Sequence, residues 1–212
     1  MMTIPDRVCP LALIVDDDVI VRIFVREVLE QSGHEVCEAE NGSQALERFI
    51  ECRPDIVLLD IMMPGMDGFT ACAKFRELVG GSRVPILIMT ALDDTESIAK
   101  AYERGATDFI TKPLNPTILS HRVKYMFRSS QTLEALRKSE SRLGLAQRIA
   151  KIGNWEWRPD TNRFTASSEL CRLIGVRQQD FGGTLDSFLQ VVHAEDRERV
   201  DVALRQILTE RK

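Results

Sequence analysis

Residues 56–68 read Ile-Val-Leu-Leu-Asp-Ile-Met-Met-Pro-Gly-Met-Asp-Gly, and this stretch decides the fold. Its apolar run ends on a single carboxylate, Asp60, which is followed by a Pro/Gly loop. A short apolar run bounded by a turn signal is typical of a strand buried on both faces, in the middle of a parallel sheet. Asp60 would then lie at the carboxyl edge of the sheet, where open α/β sheets bind ligands. We therefore take Asp60 as the centre of a candidate site.

Apolar runs and helical stretches alternate through the first half of the chain. The pattern predicts strands at 11–15, 35–40, 56–60, 85–89 and 108–110, with helices at 19–31, 41–52, 69–79 and 94–104. Strands that alternate with helices in this way indicate an α/β fold with a doubly wound, five-stranded parallel sheet.

Four of these strands end on a polar side chain, and parallel strands end at the same edge of a sheet. The residues are Asp16 with Asp17, Asp60, Thr90 and Lys112. Two carboxylates about 4 Å apart repel by about 4 kcal/mol at an effective dielectric of about 20, so the cluster needs a cation or must take up protons. Carboxylate oxygens and a phosphate oxygen suit Mg²⁺. Such a site would leave Asp60 ionised, as a nucleophile for phosphoryl transfer.

Each of these residues also has a simpler interpretation. A lone Asp at a strand end is usually a helix cap or a turn residue, and a lone Lys-Pro is usually a turn. The combination at four strand ends favours a site.

Residues 11–128 resemble a response-regulator receiver domain, which has a flavodoxin-like fold. The acidic pair of that family matches Asp16 and Asp17, and its phosphoacceptor matches Asp60 in Leu-Leu-Asp-Ile-Met-Met-Pro-Gly-Met-Asp-Gly. Its switch hydroxyl matches Thr90 in Met-Thr-Ala, and its phosphate-binding lysine matches Lys112 in Lys-Pro.

The resemblance implies that a histidine kinase or a histidine phosphotransfer protein donates a phosphoryl group to Asp60 with Mg²⁺ present. It implies that Asp16, Asp17, Asp60 and the backbone carbonyl of Met62 are the protein ligands of the metal. It also implies a cis peptide before Pro113 and a rotating aromatic at Phe109. Phe109 has no phenolic hydroxyl, so a switch that needs one does not apply here. The chain would be a regulatory phosphoacceptor rather than an enzyme.

The second half of the chain is predicted to be a helical linker followed by part of a second domain. Asn115-Pro116 matches a helix start, and the apolar residues that follow have partial heptad spacing up to residue 150. This segment is either a dimerising helix, which would give a homodimer, or an ordinary last helix with a solvated linker. The predicted division is a receiver domain at 1–128, a linker at 129–150 and a partial domain at 151–212.

Residues 146–157 and 188–197 resemble parts of a PAS domain. The segment 151–212 is therefore predicted to be an incomplete α+β PAS-like region, with a hairpin at 153–157 and 163–165 and helices near 168–174, 185–192 and 195–208. No cofactor of the PAS-like region follows from this resemblance. His34 and His121 lack metal-ligand spacing, and both are predicted to lie on the surface.

Composition and charge exclude several function classes. The chain has 28 Lys and Arg residues against 32 Asp and Glu residues. Because it lacks an excess of basic residues, its charge does not indicate a nucleic acid partner. No apolar run reaches about 18 residues, so no membrane association is predicted. Five scattered cysteines without a CxxC pair indicate a cytoplasmic protein.

Other functions remain as alternatives. A haloacid-dehalogenase-like phosphohydrolase would also use Asp60 as a nucleophile, but it would require a DxD motif, and Ile61 and Met62 follow Asp60 here. A transcription factor would need a helix-turn-helix or a basic recognition helix after the receiver, and the sequence shows neither pattern there. By analogy with similar architectures, an output enzyme such as a cyclic-di-GMP synthase or phosphodiesterase would lie beyond this chain.

Overall fold

A five-stranded parallel sheet with helices on both faces forms the first part of the molecule. The computed structural model describes residues 9–91, 95–177 and 182–209. The chain divides into two units, Met1–Glu134 and Ala135–Lys212. The elements up to the end of the sheet are β1 Leu11–Val15, α1 Val19–Gln31, β2 Glu35–Ala39, α2 Gly42–Cys52, β3 Ile56–Asp60, α3 Gly68–Glu77, β4 Ile86–Thr90, α4 Thr95–Glu103 and β5 Asp108–Thr111. They are followed by α5 Pro116–Ala150, β6 Trp155–Arg158, β7 Arg163–Ala166, α6 Ser168–Leu173, α7 Leu185–Val191 and α8 Arg197–Thr209.

The strand order is β2-β1-β3-β4-β5, and every neighbouring pair is parallel. This confirms the predicted doubly wound fold, with β3 in the centre. The helix and strand bounds agree with the predicted ones to within about two residues. Residue 94, where the fourth helix was predicted to begin, lies outside the described residues.

The central strands are buried on both faces because alternate residues enter two separate cores. Leu13 and Leu59 pack with residues of α2 and α3, including Phe75. Ile14 and Leu58 pack with residues of α1 and α5 on the opposite face. This two-sided burial is the physical reason that the strands are continuous apolar runs rather than alternating ones.

Polar side chains start the helices that follow the site strands. The Asp18 carboxylate accepts a hydrogen bond from the backbone N–H of Ile20 at the start of α1, and the Asp67 carboxylate accepts one from Thr70 at the start of α3. The Asn115 side chain accepts from the N–H of Thr117 at the start of α5. Each bond satisfies a donor that has no partner within the helix.

His34 is buried, and the prediction that it lies on the surface was wrong. It is 8% exposed, and its ring meets that of Phe127 edge-on at 6.1 Å between centroids. Neither ring nitrogen makes a hydrogen bond within the described part of the chain. Burial lowers the pKa of His34 below its usual range, partly opposed by the Leu29 carbonyl and the Asp55 charge. His121 is exposed, as predicted.

Replacement of His34 by Leu is expected to flatten the pH dependence of stability near neutral pH. Because the pKa of His34 is lower in the folded state, the unfolded chain binds more protons as the pH falls below the unfolded value of about 6.5. The free energy of unfolding of the parent should therefore decrease as the pH decreases. The contribution of His34 is at most about 1.4 kcal/mol per pH unit. Urea unfolding between pH 5 and pH 8 measures it. His121→Leu serves as the control, and an unchanged slope in His34→Leu would contradict this expectation.

The second unit contains an antiparallel hairpin, β6–β7, and the helices α6–α8. Its small core is built on Phe164, Leu185 and Leu204. Phe164 stacks on Trp155 at 5.4 Å and on Phe188 at 4.5 Å between ring centroids. The predicted hairpin and three helices are therefore present in the PAS-like segment. Within the described ranges, every helix is too short or too polar to span a membrane.

Candidate functional site

The strand ends bring the predicted site residues to one edge of the sheet. Asp16 directly follows β1 and Lys112 directly follows β5, while Asp60 and Thr90 are the last residues of β3 and β4. Asp16, Asp60 and Thr90 are buried, at 0%, 3% and 2% exposure. Asp17 is exposed beside them. The edge of the sheet therefore carries polar groups that the fold withdraws from water.

Lys112 connects two of the carboxylates. Its Nζ lies 2.8 Å from Asp16 Oδ2 and 2.7 Å from Asp60 Oδ1. Burial alone would lower the pKa of Lys112, but its hydrogen bonds to Asp16 and Asp60 and their charges raise the pKa above its usual range. The ammonium is therefore held in its charged form between the two carboxylates.

The three carboxylates form a cluster that can hold a cation. One ligand oxygen from each of Asp16, Asp17 and Asp60 lies within 4.8 Å of the others. Lys112 offsets one of their three formal charges, so the cluster has two negative charges in excess. Hard oxygen donors with this charge suit a small divalent ion.

The environment of Asp60 also shows that Lys112 does not fully compensate the negative charge at the site. Burial raises the pKa of Asp60 above its usual range, and Asp16 raises it further. Hydrogen bonds from Lys112 and from the backbone N–H of Met62 oppose the rise but do not cancel it. A divalent ion at the cluster would favour the ionised, nucleophilic form of Asp60.

The loop after Asp60 passes close to the start of α3. The N–H of Gly68 donates to the carbonyl of Ile61 at 2.9 Å. A Cβ on Gly68 would lie 2.1 Å from the carbonyl oxygen of Asp60 and 2.8 Å from Cα of Ile61. Only glycine allows this approach, so Gly68 sets the path of the backbone that carries Asp60.

The predicted switch residues lie on β4 and β5. The N–H of Lys112 donates to the carbonyl of Thr90 at 2.7 Å, and the Lys112–Pro113 peptide is cis, as predicted. Phe109 is half-buried and meets Tyr102 of α4 edge-on at 6.2 Å between ring centroids. The roles of Thr90 and Phe109 as a switch, and of the Met62 carbonyl as a metal ligand, stay predictions.

Sequence reasoning missed Arg22. Its Nη1 donates to the carbonyl oxygens of Asp16 at 2.8 Å and Asp17 at 3.2 Å. The only available signal was a basic residue shortly after an acidic pair at the start of a helix. That signal is weak because it does not tell whether the side chain turns back toward the loop.

Comparisons with known proteins agree with this geometry. Residues 12–124, just over half of the chain, match the family described as response regulator receiver domain. Residues 163–212 match the family described as PAS fold.

Individual relatives match a little over half of the chain. The chain is 37% identical over 130 residues to response regulator PleD of Caulobacter vibrioides, covering 61% of this chain and 29% of PleD. It is 38% identical over 121 residues to transcriptional regulatory protein ResD of Bacillus subtilis, covering 57% of this chain and 49% of ResD. The chain thus matches half or less of the length of these curated relatives.

A solved structure shows the same fold. Chemotaxis protein CheY4 of Vibrio cholerae superposes with a TM-score of 0.54 at 30% identity, over 56% of this chain and 98% of CheY4. The receiver family match at residues 12–124 includes the acidic cluster and Lys112. The chain therefore belongs to the response regulator receiver family of two-component signalling, with a PAS-fold segment after the receiver.

Proposed function

We propose that Asp60 is the phosphoacceptor of this receiver and that a histidine kinase or a histidine phosphotransfer protein is the donor. The observation that supports this most strongly is the Asp60 carboxylate, buried yet bonded to Lys112 and adjacent to the acidic pair. Burial and the neighbouring Asp16 disfavour the ionised form of Asp60 on balance and raise its pKa, which is typical of a functional carboxylate rather than of a stabilising one.

In this proposal, a carboxylate oxygen of Asp60 attacks phosphorus of the donor phosphohistidine. The new O–P bond forms an acyl phosphate, the P–N bond breaks, and its electron pair stays on the imidazole. Lys112 faces both Asp16 and Asp60, so its ammonium can neutralise charge on the transferred phosphoryl oxygens. The carboxylates of Asp16 and Asp60 are buried, and the low local dielectric strengthens that interaction.

Asp16, Asp17 and Asp60 fit Mg²⁺ in charge and donor type, and we propose that they hold it with the carbonyl of Met62. When bound, Mg²⁺ would neutralise phosphoryl oxygen charge. The exposed position of Asp17 leaves the cluster open to the solvent from which an ion and a phosphodonor arrive. Met62 is 64% exposed, and its backbone N–H hydrogen-bonds to the Asp60 carboxylate.

Mg²⁺ is expected to raise the thermal stability of the parent chain and to have much less effect on Asp17→Asn. A ligand that binds only the folded state at about 100 times its Kd stabilises by about 2.7 kcal/mol. Thermal unfolding with a Mg²⁺ titration and an EDTA reference measures this. Asp186→Asn, which changes an exposed aspartate of α7, is the control and should respond as the parent does. An equal response in Asp17→Asn would count against the metal site.

Phosphorylation would act on the receiver through Thr90 and Phe109. Thr90 is buried at the end of β4, so a phosphoryl group on Asp60 could draw in its hydroxyl, and Phe109 could then turn from its contact with Tyr102. Such a switch shifts a population only by the difference in stabilisation between the two states. The Phe109 side chain has no hydroxyl to form a hydrogen bond, so packing alone would stabilise its new position.

We also propose the division into a receiver at 1–128, a linker at 129–150 and a PAS-like region at 151–212, with a homodimer formed through the linker. Three leucines of α5, Leu133, Leu136 and Leu143, are more than half exposed. Leu136 and Leu143 are one heptad apart, so they would lie on one seam of a coiled coil. Light scattering with and without beryllofluoride tests this, and a monomer under both conditions would contradict it.

The phosphohydrolase alternative receives no support from the comparisons. The matched family is that of receivers, and Ile61 and Met62 stand where a DxD motif would be needed. Asp60 is therefore proposed as a regulatory phosphoacceptor. Any output activity belongs to the whole protein rather than to the receiver.

A further inference from the structure

Arg22, on α1, contacts the backbone of both acidic residues of the site. Its Nη1 donates to the carbonyl oxygen of Asp16 at 2.8 Å and to that of Asp17 at 3.2 Å. The Arg22 side chain is only 13% exposed. The guanidinium is thus a fixed part of the loop between β1 and α1.

These two carbonyls lie on either side of the Asp17 Cα. The Asp16 carbonyl belongs to the peptide plane before Asp17, and the Asp17 carbonyl belongs to the plane after it. Because each peptide unit is planar, holding both oxygens restricts the two backbone dihedrals of Asp17. Those dihedrals set the direction in which the Asp17 side chain leaves the backbone.

Asp17 depends on this backbone contact more than its neighbours do. The carboxylate of Asp16 accepts hydrogen bonds from the Asp18 N–H and from Lys112, and the carboxylate of Asp60 is held by Lys112. These side chains are buried, whereas that of Asp17 is exposed. A rigid backbone fixes the direction of the Cα–Cβ bond of an exposed aspartate, and so limits the positions that its carboxylate can reach.

The guanidinium is itself anchored to the sheet. Its Nε lies 3.4 Å from Oε2 of Glu38 on β2. Glu38 also accepts a hydrogen bond from Nε of Arg26 at 2.7 Å, one turn further along α1. The planar fork of Arg22 therefore connects the β2 carboxylate to the two loop carbonyls, which a lysine cannot reproduce.

We infer that Arg22 is a positioning residue for the divalent ion, because it orients Asp17 toward Asp16 and Asp60 before the ion arrives. This inference rests on the proposed metal site. Loss of a group that orients a metal ligand typically weakens metal binding by about 10–100-fold. The effect should be on affinity rather than on phosphoryl transfer itself, since Arg22 contacts backbone carbonyls and not the Asp60 carboxylate.

Calorimetric titration of the full chain with Mg²⁺ tests the inference. For Arg22→Met we expect an affinity about tenfold lower than that of the parent. Arg22→Lys keeps the charge without the fork, and about a threefold or greater loss is expected. Arg26→Met is the matched control. Arg26 lies on the same helix as Arg22 and pairs with the same carboxylate, Glu38 of β2. Its connection to the loop between β1 and α1 is therefore indirect, through Glu38. The affinity of Arg26→Met should stay within about twofold of the parent on the same reasoning.

Labelling by acetyl phosphate at increasing Mg²⁺ gives a second readout. In Arg22→Met, the half-saturating Mg²⁺ concentration should rise by the same factor as the Kd, with the rate at saturating Mg²⁺ near the parental rate. A purely structural role would lower the melting temperature and leave the half-saturating concentration unchanged, which would overturn the inference.

The remaining outcomes are also decisive. An unchanged affinity for Mg²⁺ in Arg22→Met or in Arg22→Lys would overturn the orienting role of Arg22. An equal loss of Mg²⁺ affinity in Arg26→Met would also overturn it, because the loss would then be a general effect of removing a positive charge. If Arg22→Met does not fold, Arg22→Lys decides alone. A parent chain that binds no Mg²⁺ would instead refute the metal site of the proposed function, which distinguishes the two failures.

Discussion

Asp60→Asn is expected to incorporate no phosphate from acetyl phosphate above background, while the parent is labelled in the presence of Mg²⁺. The amide has no ionised oxygen to attack phosphorus, and Lys112 then faces a neutral group at the end of β3. Radiolabel incorporation or a phosphate-affinity gel measures this. Asp186→Asn, in the second unit, should be labelled as the parent is.

The same variant separates lost chemistry from lost folding. The amide removes one of three clustered negative charges, so Asp60→Asn should unfold at a temperature equal to or above that of the Mg²⁺-free parent. Undiminished Mg²⁺-dependent labelling of a folded Asp60→Asn would refute Asp60 as the phosphoacceptor.

Gly68→Ala is expected to destabilise the receiver by about 3 kcal/mol, at the upper end of the cost of overpacking. The new methyl group would lie 2.1 Å from the Asp60 carbonyl oxygen, which is backbone and cannot rotate aside. Either α3 or the end of β3 must shift, so labelling of Asp60 should slow as well. Urea unfolding and the acetyl phosphate assay measure the two effects.

Gly144→Ala provides the matched control. Gly144 is exposed within α5, and a Cβ there would have open space around it to a distance of 4 Å. Alanine at this position should stabilise the helix by about 1 kcal/mol and leave labelling unchanged. A Gly68→Ala variant with the stability and labelling rate of the parent would contradict the close approach between α3 and β3.

The parts of the fold that depend on local pattern could be predicted from the sequence. β3 is a continuous apolar run because both faces are covered, and α1 has the predicted bounds because Asp18 caps its start. The edge position of Asp60 followed from the same logic, since parallel strands share a carboxyl edge.

The parts that depend on distant contacts could not be predicted in this way. His34 follows a glycine after α1, which resembles an exposed turn, but it is covered by Phe127 from α5. The role of Arg22 depends on the direction of two backbone carbonyls, and residue types carry no information about that direction. Gly68 was visible as a turn residue, whereas its distance from Asp60 required the packed structure.

The Lys112 ammonium is shared by two buried carboxylates, Asp16 and Asp60, and this has a consequence for protein engineering. The edge of the sheet keeps a charge imbalance, and burial of the apolar strands on both faces of the sheet offsets its cost. A selection for heat resistance in metal-free medium would favour neutral residues at positions 16, 17 and 60. The variants that survived it best would be those that could no longer receive a signal.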